Sequence, residues 1–203
     1  MNSGATAERV YDVLKRRIMD HAFKPGDRLD PAVLCESLAS SVTPVRDALH
    51  VLTGEGLVET RTSDGFHIPQ IDEPALKDLY AWNEQVIHRS IRAWPTALAP
   101  IASRGEPREF MSFADRARDL FARIGERSIN AEHGRAIESL NARLHAARTI
   151  EPHVIEGVET DLEAIGKALD NDDDTALRRL MAPYHRRRQR AAADIVRALY
   201  RID

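Results

Sequence analysis

The 203 residues contain a single cysteine, Cys35. That excludes a disulfide framework and fits a reducing compartment. No apolar run approaches the roughly 18 residues of a membrane span. The first residues, MNSGATAERV, carry no apolar signal core, so a cytoplasmic protein with no membrane partner is the expectation. An excess of positive charge is also missing. The formal net charge is −3, and residues 1–71 hold 8 Lys and Arg against 10 Asp and Glu. Any nucleic-acid contact must therefore come from a few locally placed cations rather than from a basic footprint. What remains is ordinary for a globular chain. Hydrophobic residues make up 43%, enough for a core, and charged residues 30%, enough to solvate the surface. The length suits one large domain or two small ones.

The organising stretch is Thr43–Leu57. Upstream, Ala7–His21 places Val10, Val13, Leu14, Ile18 and Met19 at helical spacing on one face. Pro25-Gly26 stops that helix. Asp30 then caps a short helix that opens at Pro31 and turns Val33, Leu34 and Leu38 inward. After a short turn, Thr43 is expected to cap a further helix with Pro44 at its first position. Val45, Ala48, Leu49 and Leu52 form its buried side, and Gly54 and Gly56 end it. Leu57–Arg61, a Thr62–Gly65 turn and Phe66–Ile68 read as a β-hairpin. A short helix, a turn, a second helix and a hairpin make the pattern of a winged helix-turn-helix, which sets one helix into a DNA groove. Bases are read near that helix's N-terminus, so Thr43 and Arg46 are the candidates there, with Arg46 suited to a bidentate guanine contact. Gly65 lets the wing tip approach the backbone or the minor groove, flanked by Arg61 and His67. The same shapes serve as structural linkers and protein-binding modules, and the residues alone leave both roles open.

Residues 8–70 resemble the DNA-binding domain of the GntR family of bacterial transcription regulators. The residues that carry the resemblance are Ile18, Pro25–Leu29, Leu34–Leu38, Thr43–Leu49, Leu52, Glu55–Val58 and Gly65-Phe66. It implies a homodimer on a short palindromic double-stranded operator, with transcription usually repressed. It also implies that Arg28 lies near the operator backbone. The family commonly has Ser-Arg before Thr-Pro, and that Arg tends to contact DNA. Here the pair is Ser41-Val42, so Ser41 stays in the contact set and one contact is expected to be missing.

Residues 72–203 read as a separate all-helical antiparallel bundle, with helices near 73–93, 95–103, 107–127, 129–149, 151–170 and 173–201. The chain as a whole is thus expected to be mainly α, with the hairpin as its small β part. The second domain resembles the FCD-type effector domain of one large GntR subfamily, the FadR-like one, through Leu79-Tyr80, Asn141, Leu144-His145, Ala168-Leu169 and His185. Such domains often hold a divalent metal of the zinc or nickel class on an Asp and three His, and the metal helps bind a carboxylate effector. Carried over by position, the Asp falls on Asn141, one His on His145, another on Leu162 and the last on His185. The Arg that usually meets effector anions falls on Asn83, with His88, Arg89 and Arg92 nearby as substitutes. Two imidazoles and an amide make a poor metal cage. His145 and His185 then read as hydrogen-bonded semi-buried residues, as a weak metal site, or as part of a metal-free effector pocket, the preferred expectation being no bound metal. Three functions remain to be weighed: a ligand-controlled regulator, a metal-dependent helical-bundle hydrolase, and a regulator whose sensor no longer responds. The first is the expectation, and no catalytic set can be read. The basic run His185–Arg190 has three readings, a stripe that tracks phosphates, a solvated face, or a partner for the acidic residues at 159–174, and the last two are preferred.

Overall fold

The structure is a computed structural model that describes residues 3–62, 64–95 and 111–201. It divides into two compact units, Met1–Ile71 and Asp72–Asp203.

In the first unit, helix α1 (Ser3–Met19) buries Val10 and Leu14 completely against α3 (Val42–Gly54), whose Val45, Ala48, Leu49 and Leu52 face it. Apolar residues three and four apart on both helices make this seam. Strand β1 (Arg28–Leu29) follows the Pro25-Gly26 turn, and α2 (Pro31–Ser37) follows β1. Gly26 has φ +90°, and its N–H donates to Ile68 O at 2.9 Å. Asp30 Oδ1 accepts from Ala32 N–H at 2.9 Å and so caps α2. Val33, expected to face inward, is 67% exposed. With only seven residues, α2 turns a narrow stripe inward, and Leu34 and Leu38 fill it.

Helix α3 starts one residue before the expected cap. Ser41 is its N-cap, and Thr43 lies inside the first turn. Pro44 tolerates the shift because N–H groups of the first turn have no partner within the helix, so its missing one costs nothing there. The helix ends in a Schellman motif. Leu57 N–H donates to Leu52 O and Gly56 N–H to Thr53 O, both at 3.0 Å, with Gly56 at φ +74°.

Strands β2 (Glu59–Arg61) and β3 (Gly65–His67) form the hairpin, and β1 joins it in the antiparallel order β1-β3-β2. The two-residue β1 has no local signal in the sequence. Its pairing, Arg28 with His67 and Leu29 with Phe66, arises only in the tertiary fold.

The second unit is helical: α4 (Glu73–Arg92), α5 (Phe113–Glu126), α6 (Ala131–Val154), α7 (Val158–Asp170) and α8 (Asp174–Leu199). Three links, 127–130, 155–157 and 171–173, are short, and short links reverse the chain between neighbouring helices. Helix α4 packs on α8 and α6, α5 on α6 and α7, and α7 on α8. Gly125 brings α5 close to α6, where an added Cβ would stand 3.0 Å from the Gly134 Cα. The helix expected over 95–103 falls, apart from Pro95, outside the described residues. The break expected at Glu151-Pro152 is also not there. Helix α6 runs through Pro152 to Val154, and the chain turns at Gly157, φ +68°. Glu151 is fully buried and hydrogen-bonded inside the bundle, and those tertiary bonds hold the last turn against the local proline signal.

Candidate functional site: a reading head and a buried polar centre

The N-terminal turn of α3 is open. Ser41, Val42, Thr43, Arg46 and Asp47 are exposed, while Val45, Ala48 and Leu49 anchor the helix from behind. The Ser41 side chain makes no cap bond. The first-turn N–H groups are thus left for an outside acceptor, and the helix dipole favours an anionic one such as phosphate. Arg46 is exposed and forms no ion pair among the described residues. Arg28, on the edge strand β1, is likewise exposed and, among the described residues, unpaired.

The wing differs in part from the expectation. Gly65 is exposed at φ +81°, with nothing within 4 Å of where a Cβ would stand. Arg61 is half-buried and held by Glu59 through Nε at 2.8 Å and Nη2 at 2.7 Å. His67 does not face outward. It is 3% exposed, and its Nε2 lies 3.1 Å from Asp64 Oδ2. Strand alternation alone does not foresee this, since Phe66 and His67 are both buried on β3, the central strand between β1 and β2. His67 is therefore withdrawn from the DNA-contact set.

The other end of α3 is tied to α1. Lys15 Nζ meets Glu55 Oε2 at 2.9 Å and Tyr11 Oη at 2.8 Å, and Tyr11 donates to Glu55. This clamp fixes the angle at which α3 presents its first turn.

The second unit holds a buried polar centre. His185 on α8 is fully buried. Its Nδ1 is 2.8 Å from Met181 O, and its Nε2 is 2.9 Å from the Asn83 side-chain amide. Burial, with the Arg188 and Arg148 guanidiniums nearby, pushes its pKa down to about 3, so the ring is neutral. A neutral ring has one N–H. Nδ1–H donates to the Met181 carbonyl, which leaves Nε2 an acceptor; it stands against Asn83 Oδ1, so the Asn83 amide must exchange its oxygen and nitrogen to donate to it.

Asn141 is fully buried on α6. Its Nδ2 donates to Arg118 O at 3.1 Å, and its Oδ1 accepts from Arg148 Nη1 at 2.7 Å. His145 is buried at 6% exposure. His88 is half-buried, with Nε2 3.8 Å from Glu84 Oε1, and Arg92 is exposed. The structure thus joins Asn83 to His185 and leaves His88 and Arg92 toward the surface of α4. Leu162 is a core residue, 3% exposed.

These residues do not fit a divalent metal. A guanidinium donates to the one oxygen Asn141 could offer, and a cation cannot share that place with a metal ion. Both His185 nitrogens are engaged. Among the described residues no group of three or more His, Cys, Asp or Glu side chains could hold a metal ion.

Sequence reasoning missed the larger part of this centre. Glu151, fully buried, accepts from Tyr80 Oη and Arg188 Nε, both at 2.8 Å. Arg188 Nη1 reaches Asp161 Oδ2 at 2.9 Å, and Arg187 reaches Asp161 Oδ1 at 2.7 Å. Burial raises the Glu151 pKa, against the pull of Arg188 and Arg148, and burial raises Tyr184 to about 12. The signal was in the spacing. Asn141, His145 and Arg148 fall at i, i+4 and i+7, and Met181, His185 and Arg188 repeat it on α8. Of the basic run, Arg186 and Arg190 are exposed, whereas Arg187 and Arg188 meet the acidic stretch through Asp161.

A three-helix unit whose third helix exposes its first turn, followed by a paired hairpin, defines a winged helix-turn-helix domain. Residues 6–68 match the family model described as bacterial regulatory proteins, gntR family. The match takes in the winged helix-turn-helix unit and stops short of the helical one. The chain is 32% identical over 108 residues to an HTH-type transcriptional regulator of Streptomyces ambofaciens, covering 53% of this chain and 45% of that protein. It is 31% identical over 72 residues to the HTH-type transcriptional regulator YdhC of Bacillus subtilis strain 168, covering 36% of this chain and 32% of that protein. The matched stretches therefore span less than half the length of these curated relatives. The fold extends further than the sequence match. Escherichia coli McbR/YncC superimposes with a TM-score of 0.60 at 18% identity, covering 93% of this chain and 97% of that one. A GntR-type transcriptional regulator from Rhodococcus sp. RHA1 gives 0.58 at 21% identity, covering 96% and 99%. No described helix is long and apolar enough to cross a membrane.

Proposed function

We propose that the chain is a homodimeric transcription regulator, acting as a repressor, whose first unit binds a palindromic DNA operator. A small-molecule ligand in the second unit controls that binding. The observation that carries the reading is the first turn of α3, exposed, uncapped and bearing the unpaired Arg46, inside the stretch matched to the GntR model. Arg46 and Thr43 read base edges, while Arg28, Ser41 and the Gly65 tip position the domain on phosphates. Relatives named as HTH-type transcriptional regulators favour the same reading. Two copies on one operator double a small contact set, which answers the weak positive charge of each head. Control is a population shift, in which the ligand prefers one arrangement of the two heads and so changes operator affinity.

The test is selection of bound fragments from genomic DNA by the purified full chain, followed by affinity measurements across salt concentrations. Sequence-selective, salt-sensitive binding to a two-fold symmetric site is expected. Binding to every fragment alike would refute the reading.

The enzyme alternative has less support. His185, neutral and bonded at both nitrogens, is not available as a base, and the donor set fits no metal. A regulator with an unresponsive sensor would bind the operator identically with and without every ligand tried.

A further inference from the structure

Helix α4 turns one face into the bundle and one outward. Apart from Pro74, its exposed residues are Ala75, Asp78, Trp82, Gln85, Arg89 and Arg92. Successive members of this stripe are alternately three and four residues apart. That is the spacing which keeps one seam facing a partner helix in a coiled coil. A face that met only water would be polar throughout. Trp82, at the centre of the stripe, is 53% exposed. An indole is a large apolar group with a polar edge, the kind of side chain enriched at the cores of protein interfaces.

The charges on the stripe are sorted along the helix. Asp78 lies in the first half, Arg89 and Arg92 in the last turn, and none of the three forms an ion pair among the described residues. The flanking charges are paired within the helix, Lys77 with Glu73 and His88 with Glu84. The helix dipole favours the two arginines at the C-terminal end, but its effect is confined to the end turns and does not reach Asp78 or account for Trp82. Asp78 and Arg89 stand about 16 Å apart along the axis, too far to pair in one copy. Beside the stripe runs an open groove of about 360 Å³ lined by Glu84, Gln85, His88, Arg89 and Arg92.

We propose that the outer face of α4 docks on the same face of a second copy of this chain, the two helices antiparallel about a two-fold axis level with the Asn83–Glu84 peptide. The inference rests on the reading of the chain as a homodimer and names the surface that makes it. In this register the stripe is complementary to itself, as a two-fold interface requires. Asp78 meets the partner's Arg89, and Trp82 meets the partner's Gln85. Ala75, which is small, leaves room for the partner's Arg92. Each contact occurs twice. The indole of each copy enters the groove of the other beside Gln85 and Arg89, where a guanidinium can lie over its ring. A parallel pairing would set Asp78 against Asp78 and Arg89 against Arg89, so the charges select the antiparallel arrangement.

The test is sedimentation velocity of the full chain without DNA, over a dilution series, for the parent and four variants. Trp82→Glu should raise the dimer dissociation constant by at least about 30-fold, since it removes the central anchor from both copies. Asp78→Arg and Arg89→Asp should each raise it by at least about tenfold, because each sets like charges opposite one another twice. The double variant Asp78→Arg with Arg89→Asp restores opposite charges across the axis and should return to within about threefold of the parent. All three positions are exposed, so circular dichroism should show the parent's helix content in every variant, and recovery in the double variant excludes misfolding as the cause of the single effects. A dimeric parent whose single variants stay as dimeric as the parent would refute this surface and leave the homodimer reading standing. A double variant no tighter than the single ones would refute the antiparallel register. A parent that is monomeric at every concentration and occupies a two-fold operator one copy at a time would overturn the homodimer reading and the surface with it.

Discussion

Arg46→Ala isolates the base-reading step. Arg46 is exposed and makes no ion pair among the described residues, so its removal should change the stability of the fold by no more than about 0.5 kcal/mol. On DNA the accounting is different. A bidentate arginine–guanine pair discriminates against the wrong base by about 1–3 kcal/mol. A dimer on a symmetric operator carries two such pairs, so the variant should forfeit about 2–6 kcal/mol in all, which is a factor of roughly 30 to 2 × 10⁴ in affinity. Fluorescence anisotropy of operator and scrambled DNA at several salt concentrations would measure this. Operator affinity should fall by that factor while affinity for scrambled DNA falls far less, collapsing the specificity ratio. Arg28→Ala should behave in the other way. It should weaken both DNAs alike and lower the slope of log K against log salt by about 0.9 for each phosphate that is no longer neutralised. If Arg46→Ala lowered both affinities equally, Arg46 would bind phosphate and the recognition surface would have to be moved along α3. If it changed neither, α3 would not be the recognition helix.

Gly54→Ala should stabilise the first unit by about 0.5–1 kcal/mol in urea unfolding, because Gly54 is helical and nothing lies within 4 Å of the added Cβ. Gly125→Ala should destabilise the second unit by about 1–3 kcal/mol, since the new methyl meets the Gly134 backbone at 3.0 Å. Ser41→Ala should cost no more than about 0.5 kcal/mol, less than the usual cap penalty of about 1 kcal/mol, because no side-chain cap bond is present; a full cap penalty would contradict the geometry. The neutral His185 sets a pH dependence with a definite sign. Its pKa of about 3 in the fold lies below the ordinary value of 6.5, so the unfolded chain takes up the proton first. This penalty is absent above pH 6.5 and grows by about 1.4 kcal/mol per pH unit as pH falls toward 3. Denaturation of the parent and of His185→Gln between pH 7 and 5 should show a shallower acid destabilisation in the variant, and equal slopes would mean that the ring is charged in the fold.

The first unit is legible in the sequence because its signals are local. Asp30-Pro31, Pro25-Gly26 and the apolar spacing of Val45, Ala48, Leu49 and Leu52 act within one or two turns of chain. The differences there are small and tertiary in origin. The α3 cap is Ser41 rather than Thr43 because a proline is tolerated anywhere in the first helical turn. His67 is buried on the central strand of a sheet that β1, formed by two residues far away in sequence, completes on one side. The polar centre of the second unit is illegible for a related reason. Arg148, Glu151 and Arg188 are charged residues, and charged residues are expected to be exposed. Their burial depends on four helices closing around Tyr80–Glu151–Arg188. Pro152, read locally, points to a break where those contacts keep α6 intact.

The acidic balance of the first unit, which argues against nucleic acid when charges are merely counted, loses its force once pairing is considered. Glu55 is held by Tyr11 and Lys15, Glu59 by Arg61, and Asp64 by His67. Asp30 accepts from Ala32 N–H as a cap, and Asp27 accepts from Lys24 N–H at 2.8 Å. Half of the ten carboxylates are thus turned toward partners inside the unit, whereas Arg28 and Arg46 keep their charge for the outside. Formal charge counts every group equally, but a phosphate meets only the groups that face it. The weight of DNA binding then rests on a few arginines per head. Affinity should accordingly depend on dimerisation more steeply than on salt, and a monomeric first unit should bind DNA only weakly. Comparing residues 1–71 alone with the full chain on one operator, across salt, would measure this. Equal affinity of the two would show that one head suffices and that dimerisation adds nothing to binding.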